Sequence, residues 1–302
     1  MTADRLNQTI TLTDGRALGF AECGDPAGRA VFHFHASGSS RLERPADESM
    51  LEDLGIRFIT TDRPGHGLSD PQPERTLLDW PGDMSQLADH LGIGQFYVMG
   101  WSAGGAPALA CAAKLPERVR AAAIVSGVAS PDCPGQYKGL PLANRLWKFG
   151  TRRMPALVRL MRRAVYPLIM GDLEEAGKTL SMSFPLEDRR LLDEPEALRR
   201  FAQDIQEGYR QGWEGPVQDD IVNARPWGFC LEDVVQRVEL WQGGIDENIR
   251  PHHAHCLHSR LPNSRLTIWE GEAHLALLVH WSEVLTSLVK NRDQLIGGGN
   301  AD

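Results

Sequence analysis

Short apolar runs and amphipathic stretches alternate along the first 130 residues. "TITLT" (9–13) alternates polar and apolar side chains, Asp14-Gly15 supplies a turn, and "ALGFAEC" (17–23) returns, which predicts a β-hairpin over 8–23. Apolar runs at 30–35, 56–62, 95–100 and 120–128 read as buried strands. Between them, 42–54 (closed by Gly55), 76–92 and the Ala-rich 103–115 (closed by Pro116) have helical spacing. The rhythm resumes late in the chain with strands at 238–244 and 265–271, a short helix at 250–261 and a last helix marked by Leu277, Leu278, Trp281, Val284, Leu285 and Leu288. Strands and helices in this alternation predict an α/β fold with a mostly parallel sheet covered on both faces.

From Pro131 to Arg225 the pattern is helical only. Leu157, Leu160, Met161, Ala164, Val165 and Leu168 form one stripe, with Arg159, Arg162 and Arg163 interleaved; Leu198, Phe201, Ile205 and Tyr209 form another. Each stripe is expected to be the buried face of an ordinary amphipathic helix. As one block between strands, 131–225 reads as a helical insertion over a core made of 1–130 and 226–302. The end "GGGNAD" (297–302) reads as disordered.

Length and composition narrow the class. The chain has 302 residues, 42% hydrophobic and 24% charged, enough for a soluble domain with a real core. Its net charge of −8 argues against a nucleic-acid partner, which would need clustered Lys and Arg. No apolar run is long enough to span a bilayer and the start shows no secretory pattern, so neither a membrane partner nor export is expected. Cys23, Cys111, Cys133, Cys230 and Cys256 are scattered, odd in number and lack CxxC spacing, from which reduced cysteines and a cytoplasmic setting are expected.

Against this background "GWSAGG" (100–105) stands out. It directly follows an apolar strand and opens a helix, and Gly100-Trp101-Ser102-Ala103-Gly104 fits G-x-S-x-G, the nucleophile elbow. The glycines allow a reversal too sharp for side chains. The serine hydroxyl then projects above the sheet at a helix N-terminus, where the Ala103 N–H can stabilise an oxyanion. A serine nucleophile needs a base, and His274 follows the last strand and opens the last helix. The base needs a carboxylate, and Asp246 lies just past the penultimate strand, with Glu247 as its nearest competitor. The chain order Ser102, Asp246, His274 is the order that accompanies this elbow.

With "FHFHASGSSR", "TTDRPGHGLSD", "VMGWSAGG", "LWQGGIDENI" and "GEAHLAL" in this order, the sequence resembles the α/β-hydrolase superfamily over nearly its whole length. The resemblance implies a doubly wound, mostly parallel eight-stranded sheet. It also implies a helical lid after the sixth strand, matching 131–225, and Ser-Asp-His chemistry without cofactor or metal. By position it assigns the second oxyanion donor to the backbone N–H of Ser37. Relatives usually carry His-Gly where this chain has His35-Ala36, and lack of that glycine leaves open either harmless drift or altered oxyanion chemistry, with a hydroxyl donor from Ser37 or Ser39. A pocket is expected from His35, Ala36, Trp101 and Leu275 on the core side. Trp147 and Tyr166, with Met170 and Phe184 as further candidates, are expected on the lid side.

Two other motifs read as structural. "DRPGHGLSD" (62–70) suits tight turns framing the pocket, though His66 could touch substrate. "PHHAHCLH" (251–258) lacks the Asp that a hydrolytic zinc site would need at Leu257, and reads as a solvated helix face. The functional expectation is a carboxylesterase- or lactonase-like serine hydrolase of a small, mainly apolar substrate, working through an acyl-enzyme as a monomer or homodimer. A C–C bond hydrolase of a β-diketone-like substrate and a non-hydrolytic binder or cyclase on the same scaffold are the alternatives.

Overall fold

A computed structural model of the chain describes residues 3–134 and 142–290, without the side chains of Ala3, Asp4, Ala143, Asn144, Trp147 and Lys148. The expected hairpin is β1 (Gln8–Thr11) and β2 (Ala17–Gly24). Then come β3 (Arg29–Phe34), α1 (Ser49–Asp53), β4 (Ile56–Thr61), α2 (Trp80–His90), β5 (Phe96–Trp101), α3 (Gly105–Lys114) and β6 (Val119–Val125). Six helices follow: α4 (Leu142–Arg153), α5 (Pro155–Ile169), α6 (Leu173–Ser181), α7 (Leu186–Arg190), α8 (Pro195–Gly208) and α9 (Glu214–Asn223). The chain closes with β7 (Arg237–Gly243), α10 (His252–Arg260), β8 (Ser264–Trp269) and α11 (Leu277–Val289).

The eight strands form one sheet in the order β1-β2-β4-β3-β5-β6-β7-β8. β2 pairs antiparallel with β1 and β4, and every other pairing is parallel. Side chains alternate across a strand, so neighbouring residues feed opposite cores. Phe32, Ile59 and Val98 pack under α2 and α3 with Met84, Leu87 and Leu109, whereas Val31, Phe58 and Met99 pack under α1 and α11 with Leu51, Trp281 and Leu285. Parallel strands send all their C-terminal ends to one edge, and Ser102, Asp246 and His274 follow β5, β7 and β8 there.

Four expectations are corrected. The helix expected over 42–54 is reduced to α1; Pro45 disfavours helical backbone at Arg44, and Arg41 and Glu43 are committed to buried polar bonds. The cysteines are not all reduced: Cys133, just past β6, is disulfide-bonded to Cys256 in α10 with Cα atoms 6.1 Å apart, and a separation of 123 residues leaves no local spacing to announce it. The stripe Leu157, Leu160, Met161, Val165, Leu168 faces solvent instead of the core, with Leu160 and Leu168 each 62% exposed. His253 is buried and its Nδ1 accepts the Ala129 N–H at 3.1 Å, so α10 is not a wholly solvated histidine face. The second stripe behaves as expected, with Ile205 and Tyr209 buried against Ile169. The Gly-rich end 297–302 lies outside the described residues. Among the described residues no helix is long and apolar enough to cross a membrane.

Candidate active site

The turn after β5 is tight enough to force Ser102 to φ 53°, a left-handed conformation that is strained for a non-glycine residue. Ser102–Gly104 forms a 3-10 turn leading straight into α3. Gly104 is required by close approach, since a Cβ there would lie 1.9 Å from the Phe34 carbonyl oxygen. The strain points the Ser102 hydroxyl toward the turn after β8. There it donates to His274 Nε2 at 3.1 Å, and His274 Nδ1–H donates to Asp246 Oδ2 at 2.8 Å. His274 and Ser102 are 6% and 7% exposed, so the chain of bonds runs through a largely dry site that still opens at the serine.

Asp246 is fully buried and receives the Asn248 and Ile249 amides at 2.8 and 2.9 Å, plus Gln242 Nε2 at 3.1 Å. Burial alone would raise its pKa. The His274 charge and these hydrogen bonds outweigh that and hold the carboxyl below its ordinary value, so it is an anion facing the imidazole. Glu247 is half exposed and faces Arg250 at 3.9 Å, which removes it as a competitor for the acid.

A third carboxylate reaches this turn from the helical block. Asp188 on α7 is fully buried, and its two oxygens accept the His274 N–H at 3.0 Å and the Leu275 N–H at 2.7 Å. Burial pushes its carboxyl above the ordinary value, partly offset by those amides and the imidazole. Asp188 therefore clamps the backbone of the base-bearing turn. Asp188→Asn replaces one acceptor by an amide group facing an N–H donor. We expect kcat to fall roughly 10- to 100-fold with KM little changed, as a small misplacement of a reacting group would cause. The acid limb of the pH profile of kcat/KM should move to lower pH, because an anion near the imidazolium is lost. An unmoved limb would leave Asp188 only a structural anchor.

Facing the serine is the loop 35–43. Ala36 does not have a positive φ, so its Cβ is not strained; the left-handed position is Gly38, at φ +76°. Carboxylates brace the loop. Glu43 accepts the Ala36 N–H at 2.9 Å and bonds His33 Nε2 at 2.7 Å. Asp204 on α8 accepts the Ser40 N–H at 2.9 Å and its hydroxyl at 2.7 Å, and also bonds the Ser39 side chain. Burial, with Glu43 beside it, pushes the Asp204 carboxyl upward. Asp220 on α9 accepts the Ser37 hydroxyl at 3.0 Å. Both serine hydroxyls weighed as alternative oxyanion donors are thus engaged by carboxylates of the helical block, while the Ser37 backbone stays in the loop facing Ser102.

Behind this loop lies a buried charge cluster. Arg63 donates to the carbonyl oxygens of His35 at 2.5 Å and Ala36 at 3.1 Å, and its Nε bonds Asp219 on α9. Arg75 bonds the other Asp219 oxygen. Burial opposes ionisation of Asp219, but the two guanidinium groups prevail and hold its carboxyl far below the ordinary range. Burial, reinforced by Arg63, keeps His35 well below its usual pKa, and its Nε2 accepts the Arg63 N–H at 3.2 Å.

A cavity of about 450 Å³ opens over Ser102. Ala36, Ser37, Trp101, Leu275 and Phe184 line it, and Phe184 stacks 6.3 Å from the His274 ring. Three pocket expectations need correction. His35 is not in the cavity wall, because the Arg63 cluster draws its ring behind the loop. Tyr166 packs 6.4 Å from Tyr209, and it is Tyr209 that faces the cavity. Met170 does not line it. His66 is fully buried beside His35 and Asp219 and is also absent from the wall. The side chain of Trp147 lies outside the described residues. Ala103 is the second residue of the 3-10 turn, where the first amides have no carbonyl one turn earlier to bond. Among the described residues no three His, Cys, Asp or Glu side chains are grouped to hold a metal.

Sequence reading missed Asp188, Asp204, Asp219 and Glu43. Each is an acid in a polar-looking stretch, and only its burial marks it.

Comparison with known proteins adds the following. A family profile described as alpha/beta hydrolase fold matches residues 36–280. An uncharacterized hydrolase of Bacillus subtilis, YcgS, is 29% identical over 169 residues, 53% of this chain and 58% of that protein, so the matching segment spans less than two thirds of that relative. A pimeloyl-[acyl-carrier protein] methyl ester esterase of Neisseria meningitidis is 26% identical over 282 residues, 89% of this chain and 94% of that protein. Among solved structures, the enol-lactonase of Burkholderia xenovorans superposes with a TM-score of 0.69 at 15% identity, covering 94% of this chain and all of that one.

Proposed function

Because the chain belongs to the alpha/beta hydrolase fold family, we propose that it is a serine hydrolase cleaving a carboxylic ester or lactone of a small, mainly apolar substrate. The observation that carries this is the continuous hydrogen-bond line from Ser102 through His274 to buried, ionised Asp246. In this reading His274 Nε2 takes the Ser102 proton as Oγ attacks the carbonyl carbon. Asp246 holds the tautomer and offsets the imidazolium charge. The backbone N–H groups of Ala103 and Ser37 receive the oxyanion. His274 then gives its proton to the leaving alcohol, and for a lactone that alcohol stays attached to the acyl chain. Water deprotonated by His274 attacks the acyl-enzyme, and Ser102 departs with the proton returned. The groups named and water suffice for every step.

The remaining observations bear on the substrate. An apolar wall of Trp101, Phe184, Phe201 and Leu275 suits a hydrophobic acyl or ring group, and about 450 Å³ limits it to a small molecule. In this reading 131–225 is a lid whose α6–α8 side supplies that wall. The methyl ester esterase and enol-lactonase among its relatives and structural neighbours are in line with the bond type.

A fluorophosphonate probe tests the reading. Intact-mass spectrometry should find one adduct on the wild-type protein, mapped to Ser102, and none on Ser102→Ala. Equal labelling of both proteins, or none of either while nitrophenyl esters turn over, would sink it.

A further inference from the structure

Helix α5 carries its apolar stripe on the outside. The inner side is mixed: Val158 is buried against Val217 and Ile221, and Ile169 against Ile205 and Tyr209, while Arg159 bonds Gln218 at 3.3 Å and Arg162 bonds Asp220 at 2.8 Å and lies 5.9 Å over the Tyr209 ring. Together these contacts fix the rotation of the helix. They leave Leu157, Leu160, Met161, Val165 and Leu168 between 43% and 62% exposed. Helix α4, which packs on α5, repeats the arrangement with Leu142, Leu146 and Phe149 exposed at i, i+4 and i+7, and exposed Met154 bridges the two helices. Isolated exposed apolar residues are ordinary, but a set of this size on two packed helices is not.

The charge along these two helices has one sign. Residues 142–171 contain seven Arg and Lys and no Asp or Glu, in a chain whose net charge is −8. Arg145, Arg152, Arg153 and Arg163 are exposed beside the apolar stripes. We propose that the α4–α5 hairpin is an interfacial docking surface for an anionic lipid bilayer. Its apolar stripes would enter the acyl boundary and its arginines would meet the phosphates. A second copy of the chain fits poorly, since two-fold pairing of the hairpin would set the same four arginines against each other with no acid in the segment to neutralise them. A surface helix needs no spanning run, so the lack of one leaves this partner open. Arg162 and Ile169 on the inner side of α5 line the cavity, and docking therefore brings the cavity within about 10 Å, one helix diameter, of the lipid.

Vesicle co-sedimentation of the full-length protein tests this independently of the bond it cleaves. With vesicles containing about one third phosphatidylglycerol, the bound fraction should exceed that with pure phosphatidylcholine by at least roughly tenfold, and fall steeply in about 0.5 M NaCl. Leu160→Glu/Leu168→Glu should lose this binding yet hydrolyse a soluble nitrophenyl ester at the wild-type rate, and Ser102→Ala should bind vesicles as wild type does. Equal binding of wild type and the double Glu variant would overturn the proposal. So would absent binding to anionic vesicles, including the case in which sedimentation equilibrium shows a dimer that Leu160→Glu dissociates.

Discussion

Replacing His274 by Ala is expected to lower kcat by about 10⁵- to 10⁶-fold with little change in KM, because in the proposed mechanism the imidazole acts in the transition state and does not hold the substrate. Without it the Ser102 hydroxyl has no acceptor at 3.1 Å and attacks as a neutral alcohol. Asp246→Asn should cost about 10⁴-fold, since an amide that presents N–H toward Nδ1 favours the wrong tautomer. Glu247→Gln, one residue away but pointing to Arg250, should stay within about twofold of wild type. Steady-state kinetics on a nitrophenyl ester read all three variants. A Glu247 variant as impaired as Asp246→Asn would mean that the acid has been misassigned.

The largest stability effect is expected at Asp219, far from the reacting atoms. Asp219→Asn leaves Arg63 and Arg75 buried without their shared anion, and uncompensated buried charge typically costs about 3–5 kcal/mol. Urea denaturation should show the loss as a lower midpoint at unchanged slope. The pH dependence follows in sign. The folded pKa of Asp219 lies far below its ordinary 3.8, so the unfolded chain binds the proton first as pH falls. The stabilisation is complete above about pH 4–5 and is lost progressively below it, by at most about 1.4 kcal/mol per pH unit. The wild-type stability curve should therefore fall more steeply on the acid side than that of Asp219→Asn; parallel curves would show that the carboxylate is not the charge holding the cluster. Arg63 also carries the His35 and Ala36 carbonyls, so activity should fall with stability in this variant.

What was legible in the sequence is what depends on neighbours along the chain. The strands show as apolar runs between turn residues, and Ser102 shows because its turn needs glycines on both sides. Asp246 and His274 are recognisable because each follows a strand whose end is marked by Gly-Gly or Gly-Glu. The rest depends on contacts between residues 58 to 164 positions apart. Asp188, Asp204 and Asp219 look like solvated acids on amphipathic helices until their burial is seen. The rotation of α5 was misread because periodicity reports that a helix has an apolar face, not which way it turns. That choice is made by Val158 and Ile169 packing on α9 and α8, with Arg159 and Arg162 bonding Gln218 and Asp220. Ala at position 36 brings no backbone strain because the left-handed residue of the loop is Gly38.

Ser102, Asp246 and His274 all follow strands of the sheet, whereas about half of the apolar wall comes from residues 142–223. Such a division invites exchange of the helical insertion as a cassette, to bring a new substrate range to an unchanged reaction centre. Asp188 qualifies that modularity. A donor insertion without an acid able to receive the amides of His274 and Leu275 would arrive with a suitable cavity and a loosened base, so recombinants of this scaffold should be chosen first for that carboxylate and only then for the shape of the pocket.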